Sequence, residues 1–197
     1  MARALTIVCA GLLLSAAALP TYVTTGQQTM FRYRDSTLAD GRRFRVTPQV
    51  YWYIGPVGVL AEYVVSAQDV TRGATVGQRL THHSWQLGGS WFLTGEQASF
   101  TTVTPRRPFD PRARSWGAVE VAARYGVLTV DGAAFPVFAA AATAVSRAAA
   151  WGVGITWHLA SAAQLAVNYD ATTFTGGAAG GNRTPEHFLV MRFQQAF

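Results

Sequence analysis

The stretch that decides the fold is Glu186-His-Phe-Leu-Val-Met-Arg-Phe-Gln-Gln-Ala-Phe197. Successive side chains of a strand point to opposite faces. Counted in twos, Leu189, Met191, Phe193 and Phe197 share one face of this segment, and Arg192 and Gln194 share the other. The first face carries no charge and ends on an aromatic. Such a strand is expected where a membrane β-barrel meets lipid. The last strand of a soluble sandwich would read alike, so the remainder of the chain must arbitrate.

It does so by repetition. Phe44, Val46, Val50, Trp52 and Ile54 alternate with Arg43, Arg45, Thr47, Gln49, Tyr51 and Tyr53 over Arg42 to Ile54. Pro48 interrupts that run with a residue that has no N–H for a ladder. Val57, Val59, Ala61, Tyr63 and Val65 oppose Glu62 and Ser66. His83, Trp85, Leu87, Trp91 and Leu93 oppose His82, Ser84, Gln86 and Ser90. Val119, Val121, Ala123, Tyr125 and Val127 oppose Glu120 and Arg124. Trp151, Val153, Ile155, Trp157 and Leu159 oppose Gly152, Gly154, Thr156 and His158. Leu165, Val167 and Tyr169 oppose Asn168 and Asp170. With Gln27 to Arg34, whose Phe31-Arg32-Tyr33-Arg34 alternates aromatic and cation, this makes about eight strands. A sandwich core prefers Leu, Ile and Val. Here Tyr63, Trp91, Tyr125, Trp157, Tyr169, Phe193 and Phe197 stand at or near strand ends, where membrane barrels carry aromatic girdles. The fold class expected is all-β: an antiparallel transmembrane β-barrel.

Composition agrees. Half of the 197 residues are hydrophobic, 13% are charged and the mean hydropathy is +0.15. Beyond residue 19 no apolar run reaches the length a membrane helix needs. All 16 basic residues are Arg, against 10 acidic ones, for a net charge of +6. These Arg residues are scattered rather than gathered on one patch, which argues against a nucleic-acid partner. Cys9 is the one cysteine, and the four His at 82, 83, 158 and 187 lack a metal-site spacing, so no metal or other cofactor is expected. His82 and His83, as strand neighbours, point to opposite faces. No orienting acid is assignable beside Ser84 and its histidines, and no phosphate loop or nucleophile elbow occurs, so an enzyme is not expected.

Residues 1–18 read as a leader: Arg3, then an apolar run from Leu5 to Leu14, then Ala16 to Ala18. The division expected is therefore 1–18 signal peptide and 19–197 β-barrel domain. With a periplasmic C-terminus, segments 35–41, 68–80, 131–146 and 174–185 become external loops, and Gly55-Pro56 and Ser161–Ala163 become periplasmic turns. Long outside and short inside is the usual arrangement. Segment 95–116 departs from it, as an atypical turn or as a hairpin near Ser99 to Thr104.

Opposite the apolar face lie Arg32, Arg34, Arg43, Arg45, Arg124 and Arg192, against few carboxylates, chiefly Glu62, Glu120 and Asp170. A water-filled lumen lined with guanidinium attracts anions and repels cations, and the planar fork suits phosphate oxygens. For any one Arg, neutralisation by a neighbour is an equal reading.

Several blocks resemble the phosphate-selective porins O and P: Leu19-Pro-Thr-Tyr-Val-Thr-Thr-Gly-Gln-Gln-Thr29, Tyr51-Trp-Tyr-Ile-Gly-Pro-Val-Gly-Val-Leu-Ala-Glu-Tyr63, Trp91-Phe-Leu-Thr-Gly-Glu96, Pro105-Arg-Arg-Pro-Phe-Asp-Pro111 and Gly117-Ala-Val-Glu-Val-Ala-Ala-Arg-Tyr125. The resemblance implies a bacterial outer-membrane homotrimer embedded in lipid, passing inorganic phosphate or related anions. The blocks correspond to the C-terminal half of that family, whose barrels have about sixteen strands, the number that leaves an aqueous channel. Three expectations are carried forward: a porin of half length, whether a truncated product or a piece that associates with another; a small non-conducting barrel that anchors or binds through its loops; and a secreted soluble β-protein.

Overall fold

The computed structural model describes residues 4–15, 19–73, 77–99 and 103–196. Among them there is no α-helix. The strands are β1 (Ala4–Ser15), β2 (Tyr22–Val23), β3 (Thr29–Phe31), β4 (Thr37–Ile54), β5 (Val57–Arg72), β6 (Gln78–Phe92), β7 (Ala118–Thr129), β8 (Val145–Ala160), β9 (Ala163–Ala178), β10 (Gly181–Asn182) and β11 (Glu186–Gln195). One antiparallel sheet takes the order β1-β4-β5-β6-β7-β8-β9, with β10 and β11 both pairing with β9; β2 and β3 form a separate hairpin.

Register is what the alternation demanded. A slip of one residue would turn every side chain of a strand to the wrong face. The observed pairs Gln49↔Glu62, Glu62↔Gln86, Gln86↔Gly126, Arg124↔Gly152, Gly152↔Asp170 and Asp170↔Phe188 keep polar positions on one face from β4 to β11. Trp52↔Val59, Val57↔Trp91, Trp91↔Val121, Val119↔Trp157, Trp157↔Leu165 and Leu165↔Phe193 do the same for the apolar face. The ladder between β4 and β5 omits Thr47 and Pro48 without changing register. Pro48 is thus accommodated by a local gap, since it has no N–H to donate.

The apolar face is uncovered. Trp85, Leu87, Trp91, Tyr125, Trp151, Val153, Ile155, Leu189, Met191 and Phe193 are all exposed. Its aromatics form two rows. Tyr63, His83, Trp85, Tyr125, Trp151, Tyr169 and His187 make the first, with ring contacts at 5.5 Å for both Trp85–Tyr125 and Trp151–Tyr169. Trp52, Trp91, Trp157 and Phe193 make the second. From Trp85 to Trp91, from Trp151 to Trp157 and from His187 to Phe193 the separation is six residues, roughly 20 Å along a strand.

Several segments differ from the sequence reading. Gln27–Arg34 does not supply a strand of the sheet. Only Thr29–Phe31 is extended, and it pairs with Tyr22–Val23. Phe31 and Tyr33, whose alternation with Arg32 and Arg34 suggested a wall strand, are 1% and 5% exposed and pack against the polar face of the sheet. Alternation reports one wet and one dry side, and a buried hairpin has both. The loops expected at 68–80 and 174–185 are largely strand, because β5, β6 and β9 run on after the exposed apolar pattern fades, and backbone pairing does not depend on that pattern. Segment 131–146 does not stand away from the sheet. It begins with the 3-10 turn Gly132–Ala134 and folds back over the polar face. Ala4–Ser15 pairs with β4 along its whole length.

The described parts of segment 93–117, residues 93–99 and 103–117, are tied to the sheet. Ala98 donates to Gly55 O and Phe109 to Leu159 O, which holds them beneath two neighbouring turns. Phe109 meets Trp157 edge-on at 5.1 Å. Asp110 and Ser115 form an isolated bridge; residues 100–102, the middle of the hairpin expected near Ser99 to Thr104, lie outside the described residues. Gly117 returns the chain to the sheet with φ +74°, and a Cβ there would stand 2.3 Å from His158 O, so both conformation and space require glycine.

Candidate functional site

The polar face holds both hydrophobic clusters of the fold as well as its charges. Phe31, Tyr33, Val70, Leu80, Val130, Ala134, Phe138, Ala139 and Ala144 form one cluster, and Met30, Val145, Ala148 and Phe174 the other. Residues 19–36 and 130–144 therefore make an insert that lies on one end of the polar face. Arg34 N donates to Phe138 O at 2.8 Å, and Arg72 Nη1 to Val137 O at 2.7 Å.

His82 pins this insert to the wall. It is 2% exposed. Its Nδ1 accepts from the Asp131 N–H at 3.1 Å, and its Nε2 lies 2.6 Å from the Tyr33 hydroxyl. An Nδ1 that accepts leaves the proton on Nε2, so the ring is neutral and donates to Tyr33. Asp131 in turn accepts from Thr81 N at 2.8 Å and Ala133 N at 2.9 Å. Burial pushes the Tyr33 hydroxyl above its ordinary pKa, helped by Tyr22 and Asp131 and opposed by Arg43. Burial raises Tyr22 too, against the pull of Arg45 and Arg43. The other half of the histidine pair, His83, faces the opposite way beside Tyr63, as strand alternation requires.

Beyond the insert the polar face is a hydrogen-bonded surface. Tyr51 donates to Gln49 at 3.0 Å, Gln49 to Glu62 at 2.8 Å and Gln86 to the second oxygen of Glu62 at 2.6 Å. Arg124 Nη2 and Nε reach Asp170 Oδ1 at 2.8 and 3.2 Å, and Nη2 also donates to Thr25 at 3.0 Å. This bridge crosses the intervening strand over Gly152, where a Cβ would stand 2.2 Å from Asp170 Oδ1. His158 lies 3.3 Å from Glu120. A cavity of about 560 Å³ opens on this surface, lined by Thr25, Tyr53, Gln86, Ser90, Arg124 and Asp170 among others.

The six candidate arginines fall into three groups. Arg124 is on the polar face with its charge offset by Asp170. Arg43, Arg45 and Arg192 occupy the polar face through their register and form no ion pair among the described residues; Arg45 Nε is buried without a hydrogen-bond partner. Arg32 and Arg34 are not on the sheet. They line a second cavity of about 650 Å³ at the loop end, together with Asp35 and Arg72. Arg72 was missed because Asp69 and Gly73 suggested a loop; continuing the alternation Ser66, Gln68, Val70 would have placed it on the polar face. Arg183, which donates to Thr29 O at 2.7 Å and stacks on Phe174, was missed because its partners are distant in sequence.

A search of curated proteins gives no match to this chain. The family model described as phosphate-selective porin O and P matches residues 19–197, all of the sheet but β1. On that match the chain belongs to the phosphate-selective porin O and P family.

Proposed function

We propose that this chain forms part of the wall of a bacterial outer-membrane pore through which phosphate-like anions diffuse. One observation carries the reading: a continuous uncovered apolar face is backed by a polar face on which Arg43, Arg45 and Arg192 meet no carboxylate at ion-pair distance among the described residues. The apolar face suits hydrocarbon and its two aromatic rows suit the two interfaces. The guanidinium excess suits anions. Arg32, Arg34 and Arg72 at the loop end add a basic mouth. Arg124 belongs to the framework, holding Asp170 and Thr25. The chemistry is that of a channel, with no catalytic step.

In lipid every backbone group needs a partner, so the outer edges of β1 and β11 must be filled within a closed barrel. The chain would supply about half of a sixteen-stranded wall, and the homotrimer implied by the resemblance is the assembly expected of it. The second reading, a small non-conducting barrel, is favoured by a specific feature. Eight strands enclose only enough space for side chains, and here two chain segments already lie on the polar face.

Planar-bilayer recording of refolded protein in a KCl gradient tests these. Anion-selective steps that fall when phosphate is added support the pore. Silence from folded, membrane-inserted protein supports the closed barrel. Folded protein that stays in solution without detergent overturns both.

A further inference from the structure

Just beyond the first aromatic row, the apolar face changes character. The register His83↔Thr129↔Arg147↔Thr175 lays a polar line across β6, β7, β8 and β9. All four side chains are on the same face as Trp85, Tyr125 and Trp151, and His83, Thr129, Arg147 and Thr175 are exposed. His83 stands two residues beyond Trp85, and Arg147 four beyond Trp151, about 13 Å along the strand. A tyrosine of the aromatic row reaches up to it: Tyr63 OH lies 3.0 Å from His83 Nδ1. In the tautomer where the hydroxyl donates to Nδ1, the His83 imidazole keeps an Nε2–H to offer outward.

This line is rich in donors and free of carboxylates. Along the same face of β6 to β9 and β11 there is no Asp or Glu. Asp69 on β5 is engaged by Arg79 at 3.7 Å. Arg147 makes no side-chain hydrogen bond or ion pair among the described residues. A cation, an imidazole and two hydroxyls along one line of paired positions, on the side that carries the exposed apolar surface, are misplaced for a lumen and well placed for the plane in which lipid phosphates lie.

We propose that His83, Thr129, Arg147 and Thr175 form a binding site for the phosphate of anionic lipid headgroups, with Arg147 as its centre. The site faces away from the arginines of the polar surface and is independent of the anion that crosses the pore. It fixes the depth of the wall in the bilayer at the loop end. The proposal rests on the membrane reading above, and the test separates the two.

The full 197-residue chain is folded into vesicles of phosphatidylcholine mixed in equal parts with phosphatidylglycerol. It is then released in mild detergent, and the retained lipid is counted by native mass spectrometry. The expected result is enrichment of phosphatidylglycerol. Arg147→Gln lowers that enrichment about fivefold, the factor matching roughly 1 kcal/mol per arginine at an anionic surface. Arg147→Lys keeps most of it, and His83→Gln lowers it less than Arg147→Gln does. Arg106→Gln, the same charge change at the other end of the sheet, leaves it unaltered, and inorganic phosphate does not displace the retained lipid. Equal retention of both lipids, no effect of Arg147→Gln, an equal effect of Arg106→Gln, or displacement by inorganic phosphate would each overturn the site while the membrane reading stands. Failure of the protein to fold into vesicles of either composition would overturn the membrane reading and the site together.

Discussion

Two sets of aromatic residues in this chain have opposite fates. Tyr22, Phe31 and Tyr33 gather around His82 on the polar face, with Phe31 and Tyr33 meeting edge-on at 5.0 Å and all but shut away from the surroundings. Trp85, Tyr125, Trp151 and Tyr169 pair at similar distances on the other face, yet Trp85 and Trp151 remain 41% and 44% exposed. Aromatic rings gain from burial in either case. The inner set finds its apolar surroundings in the protein's own insert. The outer set has no protein cover among the described residues, so its surroundings must come from elsewhere. On the proposed membrane reading, lipid is the medium that makes both sets consistent with one stable fold.

The largest effect expected is on the inner set. Phe31→Ala empties a site that is 1% exposed and should cost about 3–5 kcal/mol, the usual range for a buried Phe. Urea titration of vesicle-inserted protein measures it. The substitution also loosens the insert, so any open-state current should grow noisier. If Phe31→Ala costs no more than Trp85→Ala, the contrast between the faces is wrong.

Next comes a pair of neighbours on β8. Ile155 faces out, 55% exposed, between Trp151 and Trp157. Thr156 faces the polar side and pairs with Glu120 across β7. In a bilayer, Ile155→Arg should cost about 2–4 kcal/mol, as cations near the midplane of a barrel's lipid face do. Thr156→Arg gains a carboxylate neighbour and should fold nearly as well as wild type. Folding yield into vesicles reads the difference. Equal tolerance of both would mean that the apolar face does not meet hydrocarbon.

A smaller effect is expected at Gly152. Its missing Cβ is the gap through which Arg124 reaches Asp170. Gly152→Ala should cost about 1–3 kcal/mol through overpacking. It should also free the Arg124 guanidinium, moving the reversal potential in a salt gradient further toward anions. Asp170→Asn should reproduce the shift in selectivity without the steric cost. A shift toward cations from either variant would show that Asp170 does not mask Arg124.

How much of this was legible follows from where the information lies. The faces of seven long strands were readable, because alternation is local and the pairing Gln49, Glu62, Gln86 keeps what it implies. One wrong assignment was Phe31-Arg32-Tyr33-Arg34. Its alternation was real, but the dry side is turned toward the cluster of Phe138 and Leu80, and only a tertiary fold shows that. Arg124 illustrates the limit for the site. Its type and face could be read, whereas its pairing with Asp170, 46 positions away, rests on the order of three strands and on Gly152 between them. Arg32 and Arg34 shared a sequence pattern with Arg43 and Arg45 but stand at the rim, since the turn before Thr37 separates them from the sheet.

The finest discrimination between the two aromatic sets comes from alkali. Tyr33 is held above the ordinary tyrosine pKa of about 10 chiefly by burial, whereas an unfolded chain titrates near that value. A group whose folded pKa is raised contributes stability that is complete below the unfolded pKa and fades as pH climbs through the folded one. Wild-type protein should therefore keep its urea midpoint up to about pH 10 and lose it steadily above that. Tyr33→Phe removes one titrating hydroxyl and the Nε2–H···O bond from His82, a net loss of about 0.5–1.5 kcal/mol at neutral pH. It should also flatten the alkaline slope, with Tyr22 supplying what remains. Tyr125→Phe in the outer row changes a residue that is 43% exposed, and should leave the urea midpoint at neutral pH nearly unaltered. A Tyr33→Phe protein that loses stability in alkali as steeply as wild type would mean that the inner cluster opens before it titrates, and that the insert is held by Phe138 and Phe31 rather than by the His82 contact.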